Sequence, residues 1–222
     1  MSARAYFLLG RALPLGFFGF LVAIQGELAF AGVQHALTGT IDRGDAMYVL
    51  NRLLTLGFYG FLLAIYAIRS RAIASDHNPL AVLAAMLGSF ILYALWLFPG
   101  QPRTSDLVLL GISDILLACG MLWAIYSLSY LRMRFSIVPE ARGLVTVGPY
   151  WLVRHPIYLG EIVAAIGLVL PTLLTAHLAV LIAFVALQVA RTVYEERVLR
   201  QVFPTEYEAY SRHVRRLIPY VF

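Results

Sequence analysis

Two polar clusters interrupt a sequence that is otherwise mostly apolar, and they hold its most chemically versatile side chains. The first is Val147–Gly160, which reads Val-Gly-Pro-Tyr-Trp-Leu-Val-Arg-His-Pro-Ile-Tyr-Leu-Gly, and the second is Arg191–Glu196, which reads Arg-Thr-Val-Tyr-Glu-Glu. In the first cluster, Pro156 disfavours helix at His155 and allows a helix to begin at the proline itself. Because each cluster lies at one end of an apolar stretch, a helical hairpin in that stretch would bring the two clusters together.

The residue types in these clusters are suited to binding a ligand that carries both charged and aromatic groups. Arg191 and Glu195 are four residues apart, so they share one face of a helix. The carboxylate of Glu195 can pair with an ammonium group, and the guanidinium of Arg191 can hold a carboxylate. Tyr150 and Tyr158 offer ring faces for an aromatic group or for a cation.

The composition indicates what class of protein holds these clusters. The chain has 222 residues, of which 61% are hydrophobic and 13% are charged, and its mean hydropathy is +0.80. Such an apolar chain is typical of a multi-pass membrane protein. The net charge of +5 comes from arginines near helix ends and in the tail, where they would face anionic lipid, so we do not expect nucleic-acid binding. One cysteine, Cys119, and five scattered histidines show no metal-ligand spacing, so we expect no metal.

The apolar runs predict an all-α fold with four membrane-spanning helices followed by a helical hairpin. Each of the four runs has about the 20 residues that cross a bilayer, and they are Leu13–Ala36, Met47–Ile68, Pro79–Phe98 and Leu107–Leu131. The last apolar stretch, Leu159–Val193, is divided by Pro171, which predicts a tight turn between two helices. From Tyr194 onward the sequence reads as a charged, amphipathic tail.

The distribution of arginine predicts the orientation in the membrane. If the chain crosses at each predicted helix, one side receives most of the arginines near helix ends, namely Arg4, Arg11, Arg69, Arg71, Arg132, Arg134, Arg142 and Arg154. Loops on the other side hold Arg43 and Arg103, each near aspartates. The excess of positive charge marks the cytosolic side. Both polar clusters are therefore expected to face the cytosol, together with the connector after the fourth helix and the tail.

Four motifs in the region from roughly Phe135 to Pro219 carry a family resemblance. They are Leu144-Val-Thr-x-Gly-x-Tyr150, Arg154-His-Pro-x-Tyr158-x-Gly160, Arg191-x3-Glu195-Glu196-x2-Leu199, and the tail Phe203-x3-Tyr207-x2-Tyr210 that leads to Arg216-Leu-Ile-Pro219. In this order on a multi-pass chain they resemble the isoprenylcysteine carboxyl methyltransferase family. That family lies within the wider group of membrane methyltransferases that includes phospholipid N-methyltransferases. The first four helices carry no motif that matches.

The resemblance implies a methyltransferase that uses S-adenosylmethionine, bound in a pocket that the tail closes, on a lipophilic acceptor from the bilayer. Matched position by position, it places the cofactor contacts at Gly143, Leu144, Val145, Tyr150, His155, Pro156, Ile157, Tyr158 and Glu195. It places the acceptor contact at Arg191, which together with Glu195 forms the expected catalytic pair. The family has a polar residue where Arg142 stands and often a small polar one at Ile157. Residues 1–131 would then form the shell that admits the acceptor, and residues 132–222 the catalytic region.

The acceptor itself stays open. A carboxylate is already ionised at neutral pH, so its methylation needs positioning more than a base, and this favours O-methylation of an isoprenylcysteine-like acceptor. N-methylation of a phospholipid amine requires loss of a proton, for which Glu196 or Glu161 could serve. The residues are also compatible with methylation of a small thiol, with a reductase related to the sterol reductases, and with a non-catalytic lipid-binding protein. The chain has no Gly-x-Gly-x-x-Gly motif for a nicotinamide cofactor.

The sequence does not decide the roles of several polar residues. Glu27 and Asp114 lie inside predicted spans, where they would line the acceptor channel or pair with Arg52. A structural or membrane-anchoring role is favoured for a further set, which consists of Arg132, Arg134, Tyr207, Tyr210, Cys119 and His177. Whether the tail residues Tyr207, Tyr210 and Arg216 contact the cofactor is likewise open, as is the oligomeric state.

Overall fold

The computed structural model describes residues 7–38, 43–98, 106–172 and 174–221. Arg4 and Arg103, which contribute to the expected topology, lie outside the described residues, as does the break that Pro99-Gly-Gln-Pro102 predicts after the third span. Seven α-helices occur in these ranges: α1 (Leu13–Thr38), α2 (Arg43–Ile68), α3 (Pro79–Phe90), α4 (Leu107–Leu131), α5 (Pro156–Val169), α6 (Thr175–Val202) and α7 (Pro204–His213). Short helical turns of other types occupy Leu8–Ala12, Ile91–Leu97, Arg132–Arg134 and Gly148–Trp151.

Five of the described helical segments are long and apolar enough to cross a membrane. They are Leu13–Thr38, Tyr48–Ile68, Pro79–Leu97, Leu107–Arg134 and Thr175–Val202. Helix α5 is also apolar but shorter. The fold is therefore that of an all-α, multi-pass integral membrane protein, as the hydropathy of the sequence predicts.

Local sequence signals explain where several helices begin. The side chain of Asn78 accepts a hydrogen bond from the backbone N–H of Leu80 at the start of α3, and Asp106 caps α4 in the same way. Helix α5 begins at Pro156, directly after His155, as predicted. A proline is well placed at the first helical position because that residue needs no N–H donor there.

Two predicted segments differ from the observed α-helices at their ends. Helix α3 ends at Phe90 and the span continues as a 3₁₀ segment, Ile91–Leu97, rather than as one α-helix. Helix α6 does not end at Val193 but continues to Val202, so the tail begins at Phe203. The sequence after Val193 is polar, and in this part of the helix the buried carboxylate of Glu196 accepts hydrogen bonds from Arg154 and Arg216.

Small residues allow the backbones of α4 and α5 to approach closely. A Cβ atom on Gly160 would lie 2.7 Å from the carbonyl oxygen of Gly120, and one on Gly167 would lie 2.6 Å from the carbonyl oxygen of Ser113. The hydroxyl of Ser113 donates to the carbonyl oxygen of Gly167 at 2.6 Å. Helix α5 therefore packs mainly along α4, while α6, its partner in the predicted hairpin, packs more extensively against α3.

The connector between α4 and α5 folds back on the loop between α2 and α3. Strand β1 (Ala74–Ser75) pairs antiparallel with β2 (Glu140–Ala141). The backbone N–H of Ile137 donates to the hydroxyl of Tyr66 at 2.5 Å, which ties the connector to the end of α2. The connector and the 69–78 loop therefore lie at the same end of the helix bundle, as the arginine distribution predicts.

Candidate functional site

A cleft opens between the connector, the beginning of α5, the end of α6 and the helix α7. Its lining includes the following residues among those predicted to bind a cofactor: Gly143, Leu144, Val145, Tyr150, His155, Ile157, Tyr158 and Glu195. Pro156 is the predicted residue that does not line it; this proline instead begins α5 and is buried. Residues from separate parts of the chain are thus brought to one place.

The tail forms one wall of the cleft. Tyr207 and Tyr210 of α7 both line it, and the hydroxyl of Tyr210 donates to the backbone carbonyl oxygen of Tyr150 at 2.5 Å. Sequence reasoning assigned these two tyrosines to packing. Their three-residue spacing, which places them on one helix face, was the available signal for a shared role.

Two glycines shape the connector wall. Gly148 has a φ of +63°, and a Cβ atom there would collide with the ring of Tyr130. Gly143 has a φ of +150°, and a Cβ atom there would lie 2.7 Å from Nε of Arg134. Arg134 also donates to the carbonyl oxygen of Leu144 at 3.3 Å, so its role is not only that of a membrane anchor. The close fit brings the backbone of residues 143–145 to the cleft surface.

Tyr150 presents a buried polar group to this cleft. The residue is 6% exposed, and its hydroxyl has no hydrogen-bond partner among the described residues. Burial, followed by the nearby charge of Glu195, raises the pKa of Tyr150 well above its ordinary value, so the hydroxyl stays neutral. A buried hydroxyl that makes no hydrogen bond lowers the stability of the fold. The hydroxyl of Tyr150 is therefore available to bond to a ligand.

His155 lies between two carboxylates. Its Nδ1 is 3.6 Å from Oε2 of Glu195, and its Nε2 is 3.3 Å from Oε1 of Glu196. Burial alone would lower the pKa of His155, but the hydrogen bonds to Glu195 and Glu196 outweigh it and raise the pKa above the usual value. The imidazole also stacks nearly parallel on the ring of Tyr158, with ring centroids 5.7 Å apart. The two carboxylates therefore favour the protonated form of His155, and the stacked ring of Tyr158 orients the imidazole.

Glu195 connects the cleft to the interior of the bundle. Its side chain is 23% exposed, and it accepts a short hydrogen bond from the hydroxyl of Tyr158. The predicted neighbour on its helix face, Arg191, forms no ion pair with it in the described part of the chain. The guanidinium of Arg191 instead lies 4.5 Å from the ring centroid of Tyr158. Tyr158 thus contacts both members of the predicted pair.

Glu196, the next residue, is a fully buried ionic hub. Its exposed fraction is 0%, and its carboxylate oxygens accept hydrogen bonds from Arg154 at 2.9 Å, Arg200 at 3.0 Å and Arg216 at 3.0 and 2.9 Å. A carboxylate that is surrounded by arginines is poorly suited to accept a proton. The sequence-based suggestion that Glu196 could serve as a base is therefore not supported by its surroundings.

The same contacts fasten the tail to the beginning of α5. The backbone N–H groups of Arg154 and His155 donate to the carbonyl oxygens of Arg215 and Arg216 at 2.8 and 3.1 Å. The Arg154 guanidinium also donates to the carbonyl oxygen of Val214 at 2.5 Å. Sequence reasoning gave Arg154 no role beyond the motif and membrane anchoring. Its contacts show that it joins three segments around the cleft.

Arg191, the predicted acceptor contact, is not among the residues that line the cleft and belongs to a polar group inside the bundle. It is 2% exposed, and its Nη1 donates to Oε1 of Gln188 at 2.9 Å. The amide nitrogen of Gln188 donates to Oε2 of Glu161 at 2.5 Å. Nε of Arg191 has no hydrogen-bond partner within the described ranges. The group therefore has an unused donor next to the aromatic wall formed by Tyr158.

The polar residues elsewhere in the spans are not part of this group. Arg52 donates to Oε1 of Gln25 at 3.3 Å, so Gln25 rather than Glu27 is its hydrogen-bond partner. Glu27 is exposed on the surface of α1 and Asp114 is half-buried on α4. His177 contacts the hydroxyl of Thr172 at 2.6 Å and the carbonyl oxygen of Phe98 at 2.7 Å, where it links loop and helix.

Comparison with known proteins identifies the family. The phospholipid methyltransferase family matches residues 108–206. Protein-S-isoprenylcysteine O-methyltransferase A of Arabidopsis thaliana is 30% identical over 162 residues, which cover 68% of this chain and 78% of the plant protein. The chain belongs to the isoprenylcysteine carboxyl methyltransferase family. The B form from the same plant matches at the same identity and coverage.

A bacterial protein is also similar to part of the chain. The cobalt-zinc-cadmium resistance protein CzcN of Cupriavidus metallidurans is 34% identical over 122 residues, which cover 54% of this chain and half of that protein. No group of three or more His, Cys, Asp or Glu side chains in the described ranges is arranged to hold a metal ion. Membership of the methyltransferase family makes this chain a membrane methyltransferase that resembles the isoprenylcysteine enzymes.

Proposed function

We propose that the protein transfers a methyl group from S-adenosylmethionine to the carboxylate of an isoprenylcysteine-like acceptor. The observation that carries this proposal is that the motif residues from the connector, α5 and α6 line one cleft, and that Tyr158 of this lining also contacts the buried guanidinium of Arg191. The cleft would bind the donor, and Arg191 would bind the acid end of the acceptor.

The residues of the cleft fit the donor. When bound, S-adenosylmethionine supplies a methyl group on a sulfonium cation, and it also carries an ammonium, a carboxylate and an adenine. Glu195, which is partly exposed to the cleft, would pair with the ammonium. Tyr150 would use its unpartnered hydroxyl, and the tyrosine rings of α7 offer aromatic surface to the adenine. Gly143 allows the connector backbone to approach the ligand.

Arg191 would hold the acceptor carboxylate through its free Nε edge. In the transfer, a bond forms between the methyl carbon and a carboxylate oxygen while the bond between the methyl carbon and sulfur breaks. No proton has to be removed, so positioning suffices. Residues 132–222 would supply the chemistry and residues 1–131 the access from the bilayer, with the site on the cytosolic side because arginines are concentrated there.

N-methylation of a phospholipid amine is the second candidate, and the match to the phospholipid methyltransferase family favours it. An amine must lose a proton, and Glu161 is the carboxylate in the buried group that would accept it. The acceptor class therefore separates the two candidates.

The test is a transfer assay with methyl-labelled S-adenosylmethionine on the purified protein, with a farnesylated cysteine analogue and phosphatidylethanolamine as competing acceptors. Label in a base-labile ester supports the carboxyl O-methyltransferase. Base-stable label in the lipid headgroup moves the function to N-methylation. Donor binding without transfer to either acceptor refutes both acceptor assignments.

Two variants test the division of roles within the site. Glu195→Ala is expected to abolish donor binding, whereas Arg191→Ala is expected to retain donor binding and lose turnover. Arg71→Ala removes an exposed arginine outside the cleft and serves as the matched control, with both properties retained. Undiminished turnover in Arg191→Ala would refute the carboxylate-binding role.

A further inference from the structure

A second cavity lies where the end of the tail meets the turn before α5. Its volume is about 330 Å³, which is in the range of pockets that bind small molecules. Its lining includes Trp151, Arg212, His213, Arg215 and Tyr220, and it shares no residue with the lining of the cleft. The proposed methyl transfer gives this cavity no role.

The cavity carries an excess of positive charge. Arg212, His213 and Arg215 are all exposed, and none of the described residues that line the cavity is acidic. Arg212 pairs with Glu208 at 3.4 Å, but the two side chains are 71% and 54% exposed, so this pair is weak. The guanidinium of Arg215 has no ion pair or hydrogen bond within the described part of the chain. Two arginines are therefore available to an anion.

Large apolar groups accompany these basic side chains. Trp151 is 70% exposed and Tyr220 is 84% exposed. Tyr220 has a φ of +65°, a backbone conformation that is uncommon for a bulky residue. Ile218 and Val221, in the same segment, are also exposed. A surface that combines exposed apolar and basic groups in this way is suited to the boundary between an anionic membrane and water.

Neighbouring aromatic residues indicate that the cavity lies at the level of the lipid headgroups. Trp151 ends a turn that begins at Gly148, where a Cβ atom would collide with the ring of Tyr130. Tyr130 lies near the end of α4 and packs edge to face against Tyr126, with ring centroids 5.2 Å apart. Both tyrosines are exposed. Tyrosine and tryptophan at the end of a span are typical of the membrane–water interface.

The segment that lines this cavity also fastens the tail. The backbone carbonyl oxygen of Arg215 accepts a hydrogen bond from the N–H of Arg154 at 2.8 Å, and Val153 forms an isolated β-bridge with Arg215. A ligand that is held by the side chain of Arg215 would therefore restrain the backbone that joins the tail to the beginning of α5.

We propose that this cavity binds the phosphate of an anionic phospholipid headgroup through Arg212 and Arg215, and that the bound lipid stabilises the attached tail. A zwitterionic headgroup carries the same phosphate but offsets it with its own cation, so the site should prefer an anionic lipid. The lipid is a bound ligand here and not a methyl acceptor. The inference goes beyond the proposed function, because it holds whichever acceptor the protein methylates.

Tryptophan fluorescence tests the lipid preference. The chain has three tryptophans, Trp96, Trp123 and Trp151, so the variant Trp96→Phe with Trp123→Phe leaves Trp151 as the single reporter. It is placed in nanodiscs of phosphatidylcholine and phosphatidylglycerol, with quenching bromine on the acyl chains of one lipid at a time. We expect a preference for phosphatidylglycerol near Trp151 of about fivefold for each arginine that contacts the headgroup.

Charge variants in this single-tryptophan background test the contacts. Arg212→Gln with Arg215→Gln should remove the preference. Arg71→Gln is the matched control, because it removes an exposed arginine outside the cavity, and the preference should remain. Glu208→Gln removes the acid that pairs with Arg212 and should increase the preference. A change in opposite directions separates loss of the contact from a general disturbance of the fold.

Amide hydrogen exchange of the protein with all its tryptophans gives a second readout. Peptides that contain residues 154–155 should exchange more slowly in phosphatidylglycerol nanodiscs than in phosphatidylcholine nanodiscs, and the double arginine variant should abolish this difference. Equal quenching by the two brominated lipids would overturn the proposal, as would an equal loss of preference in Arg71→Gln. A lipid preference without slower exchange would refute the stabilisation of the tail.

A soluble anion is the competing occupant. If inorganic phosphate slows exchange in phosphatidylcholine nanodiscs as much as phosphatidylglycerol does, the site binds free phosphate and the assignment to a lipid is wrong. None of these measurements depends on methyl transfer, so a failure of the proposed function would leave them unchanged.

Discussion

Replacement of Glu196 by glutamine is expected to release the tail from the beginning of α5. Glutamine has the same shape as glutamate but carries no charge. In the native protein the Glu196 carboxylate is fully buried and is shared by three arginines. Two of these, Arg154 and Arg216, have side chains that are only 10% and 21% exposed. Glu196→Gln would therefore leave buried positive charges without their counter-charge.

The size of the effect follows from this burial. Removal of one partner from a buried ion pair costs about 3–5 kcal/mol. We take the lower end of this range, about 3 kcal/mol, for the decrease in the free energy of opening the tail. The reason is that Arg200, one of the three arginines, is 47% exposed and water can solvate its charge. This corresponds to an increase on the order of a hundredfold in the population of the open tail.

Hydrogen exchange measures this opening directly. The amide hydrogens of Arg154 and His155 are bonded to the carbonyl oxygens of Arg215 and Arg216, so they exchange when the tail detaches. Peptides that contain residues 154–155 should exchange about a hundredfold faster in Glu196→Gln. The matched control is Glu208→Gln, which breaks an exposed pair with Arg212 and should cost less than about 1 kcal/mol. Equal, small changes in both variants would refute the role of the hub.

Two further predictions concern the cleft. Tyr150→Phe removes a buried hydroxyl that has no hydrogen-bond partner in the described ranges. Donor affinity should therefore fall several-fold in a binding titration, while the melting temperature should not decrease because no hydrogen bond within the protein is lost. A lower melting temperature would contradict this expectation. The carboxylates of Glu195 and Glu196 raise the pKa of His155 in the folded protein. Protonated His155 therefore stabilises the folded protein fully at pH values below the unfolded-state pKa of about 6.5. This stabilisation is lost as the pH rises through the pKa that His155 has in the folded protein. Thermal unfolding should show this decline on the alkaline side, and His155→Gln should flatten it; stability that rises with pH in this range would refute it.

Hydropathy predicted the membrane spans well because each apolar run has the length of a bilayer crossing. Hydropathy did not predict where a helix ends or which type of helix forms. Beyond Val193, α6 carries Glu196, whose partners Arg154 and Arg216 come from other parts of the chain and are not visible in the local composition. The 3₁₀ segment Ile91–Leu97 has the same apolar composition as the α-helix before it. No periodic signal distinguishes the two.

More detail of the candidate site than of the surrounding helices could be predicted, because its residues belong to short motifs that follow one another in a fixed order along the sequence. Tyr150, His155 and Glu195 all line the cleft. The spacing of Arg191 and Glu195 predicted that they share a helix face, and Tyr158 contacts both side chains. Spacing along a helix indicates which residues share a face, and it does not report what another helix places between them.

The attachment of the tail also has a consequence for biosynthesis. The carbonyl oxygens of Arg215 and Arg216 receive the hydrogen bonds that fasten residues 154 and 155, and Arg216 supplies part of the charge around Glu196. A nascent chain that has not yet left the ribosome beyond α7 would expose a buried acid without these partners. The cleft is therefore completed only after residues 215 and 216 have been synthesised. Chains that are cut short before Arg215 would retain Tyr207 and Tyr210, but they would lack the backbone contacts that fasten the tail to residues 154 and 155.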